Sequence, residues 1–117
     1  MSFFIVHHIR FLGKRLMEQL EDLRKKILPI LLPWGIKKVA IFGSVARHEE
    51  TPESDIDILV ELKPREERPT LGLKWFGLEE DLSKALGRRV DLVTEEDLSP
   101  YIRSYVEKDK IIIYEEG

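Results

Sequence analysis

The chain reads as an α/β sandwich, and three observations predict it. Apolar residues at helical spacing alternate with short apolar runs at strand spacing along the 117 residues. Their order is helix, strand, short helix, strand, helix, strand, helix, strand, which suits helices packed on a sheet. Acidic residues interrupt the second and third strands on one face only, which predicts one polar sheet edge put to use.

The first helix follows from Leu16, Leu20, Leu23, Ile27 and Leu31, which recur at three- and four-residue spacing. Glu18, Glu21, Asp22, Arg24 and Lys25 occupy its other face. Pro29 is expected to kink or shorten it, and Pro33 with Gly35 to end it. Lys38 to Phe42 then forms a buried strand, Gly43 lets the backbone break out of it, and Ser44 is placed to N-cap a short helix through Arg47. Glu49 to Glu53 is a loop.

In Ser54-Asp55-Ile56-Asp57-Ile58-Leu59-Val60 the period of two puts Asp55 and Asp57 on one face and Ile56, Ile58 and Val60 on the other. Lys63 to Arg68, bracketed by Pro64 and Pro69, is an exposed connection and reads as a solvated loop. A helix through Leu73, Phe76, Leu82 and Leu86 follows, stopped by Gly87. Trp75 and Phe76 fall on its apolar stripe and read as core rather than as a platform for adenine. Arg89 to Thr94 is a strand with Asp91 pointing away from Val90 and Leu92. Ser99 and Pro100 are the N-cap and first position of a last helix with Ile102 and Val106 inward, and Ile111 to Tyr114 closes as a strand.

The chemistry lies in Gly43-Ser44 and, after ten intervening residues, Asp55-Ile56-Asp57. A turn with outward N–H groups and a hydroxyl suits a terminal phosphate. Either piece alone has an ordinary reading, a turn with a cap or a solvated strand face. Asp91 adds a third carboxylate that can share the face of Asp55 and Asp57. Three carboxylates pressed together repel, and divalent cations remove that cost. Hard oxygen donors in this number suit Mg²⁺, and a pair of such ions about 3.5 to 4 Å apart serves in-line displacement at phosphorus. Arg47 either stabilises phosphate charge or forms a surface salt bridge with Glu49 or Glu50. The chain has neither a Gly-Lys-Ser/Thr loop nor a Gly-x-Gly-x-x-Gly turn.

Composition narrows the remainder. A net charge of -3 with dispersed basic residues gives no footprint for nucleic acid, and the absence of cysteine removes thiol and thiolate chemistry. Ser2 to Val6 is apolar, but His7, His8 and Arg10 interrupt it too early for a membrane span or an export signal, so a cytoplasmic location is expected. Adjacent His7 and His8 side chains diverge and read as a partly exposed pair rather than a metal site.

Gly43-Ser44-Val45-Ala46-Arg47, Ser54-Asp55-Ile56-Asp57-Ile58-Leu59-Val60 and Val90-Asp91-Leu92-Val93 resemble the three signature segments of the minimal nucleotidyltransferases, a branch of the DNA polymerase beta-like superfamily. The resemblance covers roughly Ile36 to Tyr114. It implies a small mixed β-sheet flanked by helices, ATP with two Mg²⁺ ions, Gly43, Ser44 and Arg47 as nucleotide-binding residues, and Asp55, Asp57 and Asp91 as catalytic and metal-binding residues. Asp91 is by this resemblance the candidate proton acceptor. His48 stands where many relatives carry glycine. Met17 resembles the usual family start, so residues 1–16 are read as an N-terminal extension and 17–117 as the nucleotidyltransferase domain.

The chain lacks the additional acceptor-holding domain of antibiotic- and tRNA-modifying relatives. The resemblance implies instead a protein acceptor: AMP transfer to a tyrosine of a partner, with this chain as antitoxin to a HEPN ribonuclease toxin in a hetero-oligomer. The alternative is a binding module that neutralises its partner by covering it.

Overall fold

A computed structural model describes residues 14–49, 51, 53–70 and 72–116. His7, His8, Glu50 and most of the expected N-terminal extension lie outside the described residues.

The elements are α1 (Lys14–Leu31), β1 (Ile36–Phe42), α2 (Gly43–Ala46), β2 (Ile56–Leu62), α3 (Leu78–Leu86), β3 (Val90–Thr94), α4 (Pro100–Asp109) and β4 (Ile111–Glu115). The strands form a mixed sheet in the order β3-β2-β1-β4, with β1 antiparallel to both neighbours and β2 parallel to β3. Among the described residues no helix is long and apolar enough to cross a membrane.

Alternation along the strands separates two cores. Ile41, Ile56, Ile58, Val60, Val90, Ile111 and Ile113 point to one face, where Leu16, Leu20, Leu23, Ile27 and Leu31 of α1 and Leu78 and Leu82 of α3 cover them. On the opposite face a smaller core joins Ala40 and Leu59 to Leu98 and Val106, flanked by Phe42, Val93 and Ile112. That face is the one the acids share. Its modest cover leaves the acid end of the sheet open.

Helix side chains occupy two outward donors of β3 and one outward acceptor of β4. The Val90 N–H donates to Ser83 Oγ at 3.1 Å and the Leu92 N–H to Glu79 Oε2 at 2.8 Å, so α3 serves the edge of β3. Arg24 Nε of α1 donates to the Ile113 carbonyl of β4 at 3.1 Å.

Several expectations need correction. Pro29 lies inside α1, which continues to Leu31 before a 3₁₀ turn over Leu32–Trp34 and a left-handed Gly35. Burial of Ile27, Leu28 and Leu31 holds the last turn in place.

Phe76 is not core: it is 76% exposed and Leu73 is 87% exposed. Leu73–Gly77 winds as a 3₁₀ helix, whose three residues per turn set Leu73 and Phe76 on the same outward side. The apolar stripe restarts at Leu78. Trp75 does pack against the main core, edge-on to Trp34 with ring centroids 6.4 Å apart. Ser99 caps α4 as expected, accepting from the Ile102 N–H, and Val106 is buried. Ile102 is instead 53% exposed.

Candidate active site

Strand pairing brings the candidate residues together. β1 ends at Phe42, whose partner across the antiparallel ladder is Asp57, so the Gly43 turn begins beside the start of β2. In the parallel ladder Asp57 lies in register with Asp91. Neighbouring strands run about 4.8 Å apart, and residues in register on parallel strands point to the same side. Asp55, two residues before Asp57, extends the same row. Asp55 and Asp57 are half-buried and Asp91 is exposed.

The turn and the acid row are in contact. Gly43 has φ +74°, and a Cβ built on it would land on Asp57 Oδ2 and within 3.0 Å of its Cγ. Glycine is therefore required twice, by the backbone angle and by the carboxylate beside it. Ser44 does not act as the N-cap. Phe42 holds that position in extended conformation, no side chain caps the helix, and Ser44 sits one residue inside it. His48 takes φ +59°, a left-handed backbone that glycine would adopt without strain.

Crowding of like charges marks the site. Burial, and after it the charges of Asp91 and Asp55, push the Asp57 carboxyl up from 3.8 to about 6 against the opposing effect of Arg47. Burial also raises Asp91, with Glu79 and then Asp55 adding to the effect. Among the described residues no three His, Asp or Glu side chains close into a ready metal cage. The carboxylates form an open row, which suits an ion that completes its shell with phosphate and water oxygens.

Arg47 realises its salt-bridge reading, with Nε 2.7 Å from Glu49 Oε1 and Nη1 3.3 Å from Asp109 Oδ2. It thereby ties the end of α2 to the end of α4. Between them Phe42, Gly43, Ile102, Tyr105 and Val106 line a slot of about 190 Å³ that opens beside the turn. A larger cavity of about 530 Å³ lies on the same sheet face near the opposite strand ends. Its charges are largely satisfied within the wall, Lys38 by Glu61 at 3.5 Å and Lys110 by Glu107 at 3.0 Å. The smaller slot is the one that adjoins the Gly43 turn.

Three contributors were not anticipated from sequence. Arg88 Nη2 donates to the Ser54 carbonyl at 2.6 Å and to Thr51 at 3.2 Å, pinning the loop that delivers Asp55. The Arg88-Arg89 pair directly before an acid strand was its only signal. Glu79 and Asp109 reach the site through tertiary packing and left no local mark.

Residues 16–113 match the family described as Nucleotidyltransferase domain. MJ0128 of Methanocaldococcus jannaschii, named Putative protein adenylyltransferase, is 43% identical over 99 residues, covering 83% of this chain and 97% of that protein. Protein adenylyltransferase MntA of Thermococcus cleftensis is 40% identical over 80 residues, covering 68% of this chain and 77% of that one. A solved structure described as a putative minimal nucleotidyltransferase is 37% identical with a TM-score of 0.64, over 80% of this chain and 92% of the other. A toxin-antitoxin crystal structure with AMP-PNP gives a TM-score of 0.67 over 80% of this chain and 74% of the other, and at 23% identity it speaks to the fold alone. With residues 16–113 matched and a mixed four-stranded sheet shared with a minimal relative, this chain belongs to the nucleotidyltransferase domain family, among its minimal members.

Proposed function

We propose that the chain is a Mg²⁺-dependent protein adenylyltransferase that moves AMP from ATP to a tyrosine hydroxyl of a partner protein. The observation that carries the reading is the register of Asp57 with Asp91, with Asp55 two residues ahead, against the Gly43 turn. The names of MJ0128 and MntA support a protein as the acceptor. MntA also shares its name with one component of a solved toxin-antitoxin structure. With the resemblance of the signature segments, this favours an antitoxin role toward a HEPN ribonuclease in the cytoplasm.

In this reading the acceptor oxygen attacks the α-phosphorus of ATP. A P–O bond forms, the bond to the β-phosphate oxygen breaks, pyrophosphate leaves, and the hydroxyl proton passes to a carboxylate. Mg²⁺, as two ions bound by Asp55, Asp57, Asp91 and the phosphates, would supply neutralising charge and lower the pKa of the attacking hydroxyl. The three side chains fit such ions by donor type, and the raised carboxyls of Asp57 and Asp91 have charge that a cation would relieve. Gly43 lets the turn pack directly against the Asp57 carboxylate, which keeps the turn beside the acids. Ser44 offers a hydroxyl on the same turn, and Asp91, the most open acid, is the proton acceptor. Arg47 meets the phosphates by leaving Glu49 or Asp109.

Mixing a trace of this chain with an excess of the toxin, labelled ATP and Mg²⁺ tests the reading. The expected result is AMP covalently bound to a toxin tyrosine, inactivation beyond stoichiometry, and loss of both in Asp55→Asn and Asp57→Asn. Inhibition that needs one chain per toxin, persists without ATP and survives both substitutions would establish the covering module instead.

A further inference from the structure

The connection from β2 toward α3 holds a second concentration of charge, independent of the nucleotidyl-transfer reading. Arg65, Arg68, Pro69 and Thr70 line a cavity of about 340 Å³. It follows the end of β2, whereas Asp57 stands at the beginning. From Asp57 to Leu62 the strand alone spans roughly 17 Å at about 3.3 Å per residue. The cavity is therefore no extension of the acid row.

The backbone here is fixed by construction. Pro64 and Pro69 bracket a 3₁₀ turn over Arg65–Glu67, closed by Glu67 N–H to the Pro64 carbonyl at 2.9 Å. The Lys63 N–H donates to the Gly35 carbonyl at 2.9 Å. The stem of Arg68 lies so close to Gly35 that a Cβ there would overlap the Arg68 Cβ and come within 3.0 Å of its Cα. Arg68 is thus anchored at its base and half-buried, and its Nη1 is buried with no hydrogen-bond partner.

A buried guanidinium N–H without an acceptor is costly, and such groups persist where something else completes them. Arg65 and Arg68 enter no ion pair with an acid among the described residues, although Glu66 and Glu67 lie in the same turn. Those two glutamates are exposed and do not line the cavity. Arg65, Arg68 and Thr70 therefore line one space, and among the described residues no acid lines it with them.

We propose that this cavity binds the phosphate group of a small phosphorylated molecule. Guanidinium forks match the oxygens of phosphate in pairs. Two positive charges, that of Arg68 anchored at its base, balance a phosphate monoester, which carries about -1.5 to -2 at neutral pH, whereas one carboxylate would leave a cation unmatched. The volume exceeds that of the bare anion and lies near the lower end of the roughly 300 to 1,000 Å³ typical of small-molecule sites. The phosphate enters on an organic group rather than alone.

Titration of the full chain with inorganic phosphate, followed by amide resonances, tests the assignment. Saturable shifts are expected at Arg65, Arg68 and Thr70, separate from any at Gly43 and Ser44, and they should persist in Asp55→Asn. Arg68→Met keeps the stem against Gly35 and removes the charge, so the loop response should weaken at least tenfold. Arg65→Gln, at an exposed position, should weaken it severalfold if Arg68→Met fails to fold. Absence of loop shifts, an equal response in the folded variants, or a stronger response to succinate than to phosphate would overturn the proposal. Failure of AMP transfer with these shifts intact would count against the nucleotidyl-transfer reading alone.

Discussion

Replacing Asp57 with Asn keeps the side chain's shape and removes its charge, and the structure fixes the sign of the effect on stability. The folded state raises this carboxyl from 3.8 to about 6, so folding favours its protonated form. Below the unfolded value both states are protonated and the wild type carries no penalty. As pH rises from 3.8 towards 6 the penalty grows, and above 6 it is fully present. At about 1.36 kcal/mol per pH unit the ceiling is about 3 kcal/mol. The side chain is only half-buried, and solvent screening reduces this to on the order of 1 kcal/mol. Urea unfolding in EDTA should therefore show Asp57→Asn about 1 kcal/mol more stable than the wild type at pH 7.5 and equal to it near pH 3.5. Mg²⁺ with ATP should stabilise the wild type and not the variant. A variant that is no more stable at pH 7.5, or gains equally at pH 3.5, would refute the reasoning that crowded negative charge is stored at this position.

Gly43→Ala forces a methyl onto the Asp57 carboxylate at a positive φ, so AMP transfer should fall by at least about 100-fold, on the scale of misplaced reacting groups, as read by transfer of labelled AMP. His48→Gly relieves a left-handed backbone at some cost in chain entropy, and chemical denaturation should find it about 0.5 kcal/mol more stable. Ser99→Ala removes a capping acceptor and should cost about 1 kcal/mol. Ser44→Ala, which loses no cap, should change stability by less than about 0.5 kcal/mol while weakening binding of ATP more than of AMP, as calorimetry would show.

Period-two alternation made the faces of Asp55, Asp57 and Asp91 legible in the sequence, because a strand allows only two directions. The register that sets Asp57 between Phe42 and Asp91 was not legible. It depends on which strands become neighbours, and apolar runs such as Val39-Ala40-Ile41 carry no address. The helical stripe through Leu73, Phe76, Leu82 and Leu86 misled only in its first half, because Leu73–Gly77 winds as a 3₁₀ helix that turns Leu73 and Phe76 outward, whereas Leu82 faces the core together with Leu78. Ser44 falls two residues past the capping position, held by Phe42, because Gly43, in a conformation few other residues adopt, already starts the helix. Arg88, Glu79 and Asp109 act only once distant segments meet. A local pattern cannot announce them.

The helix side chains along both sheet margins have a consequence for assembly. Ser83 and Glu79 take outward donors of β3, and Arg24 takes an outward acceptor of β4. An extended peptide approaching β3 meets two occupied donors rather than an unpaired backbone, and one approaching β4 meets the Ile113 carbonyl already taken, so strand addition must displace helix side chains at either margin. Exposed side chains such as Tyr101 and Tyr105 of α4 offer a different kind of contact to the proposed protein acceptor. Contacts of that kind can be made and released once per turnover, whereas an added strand would hold its product.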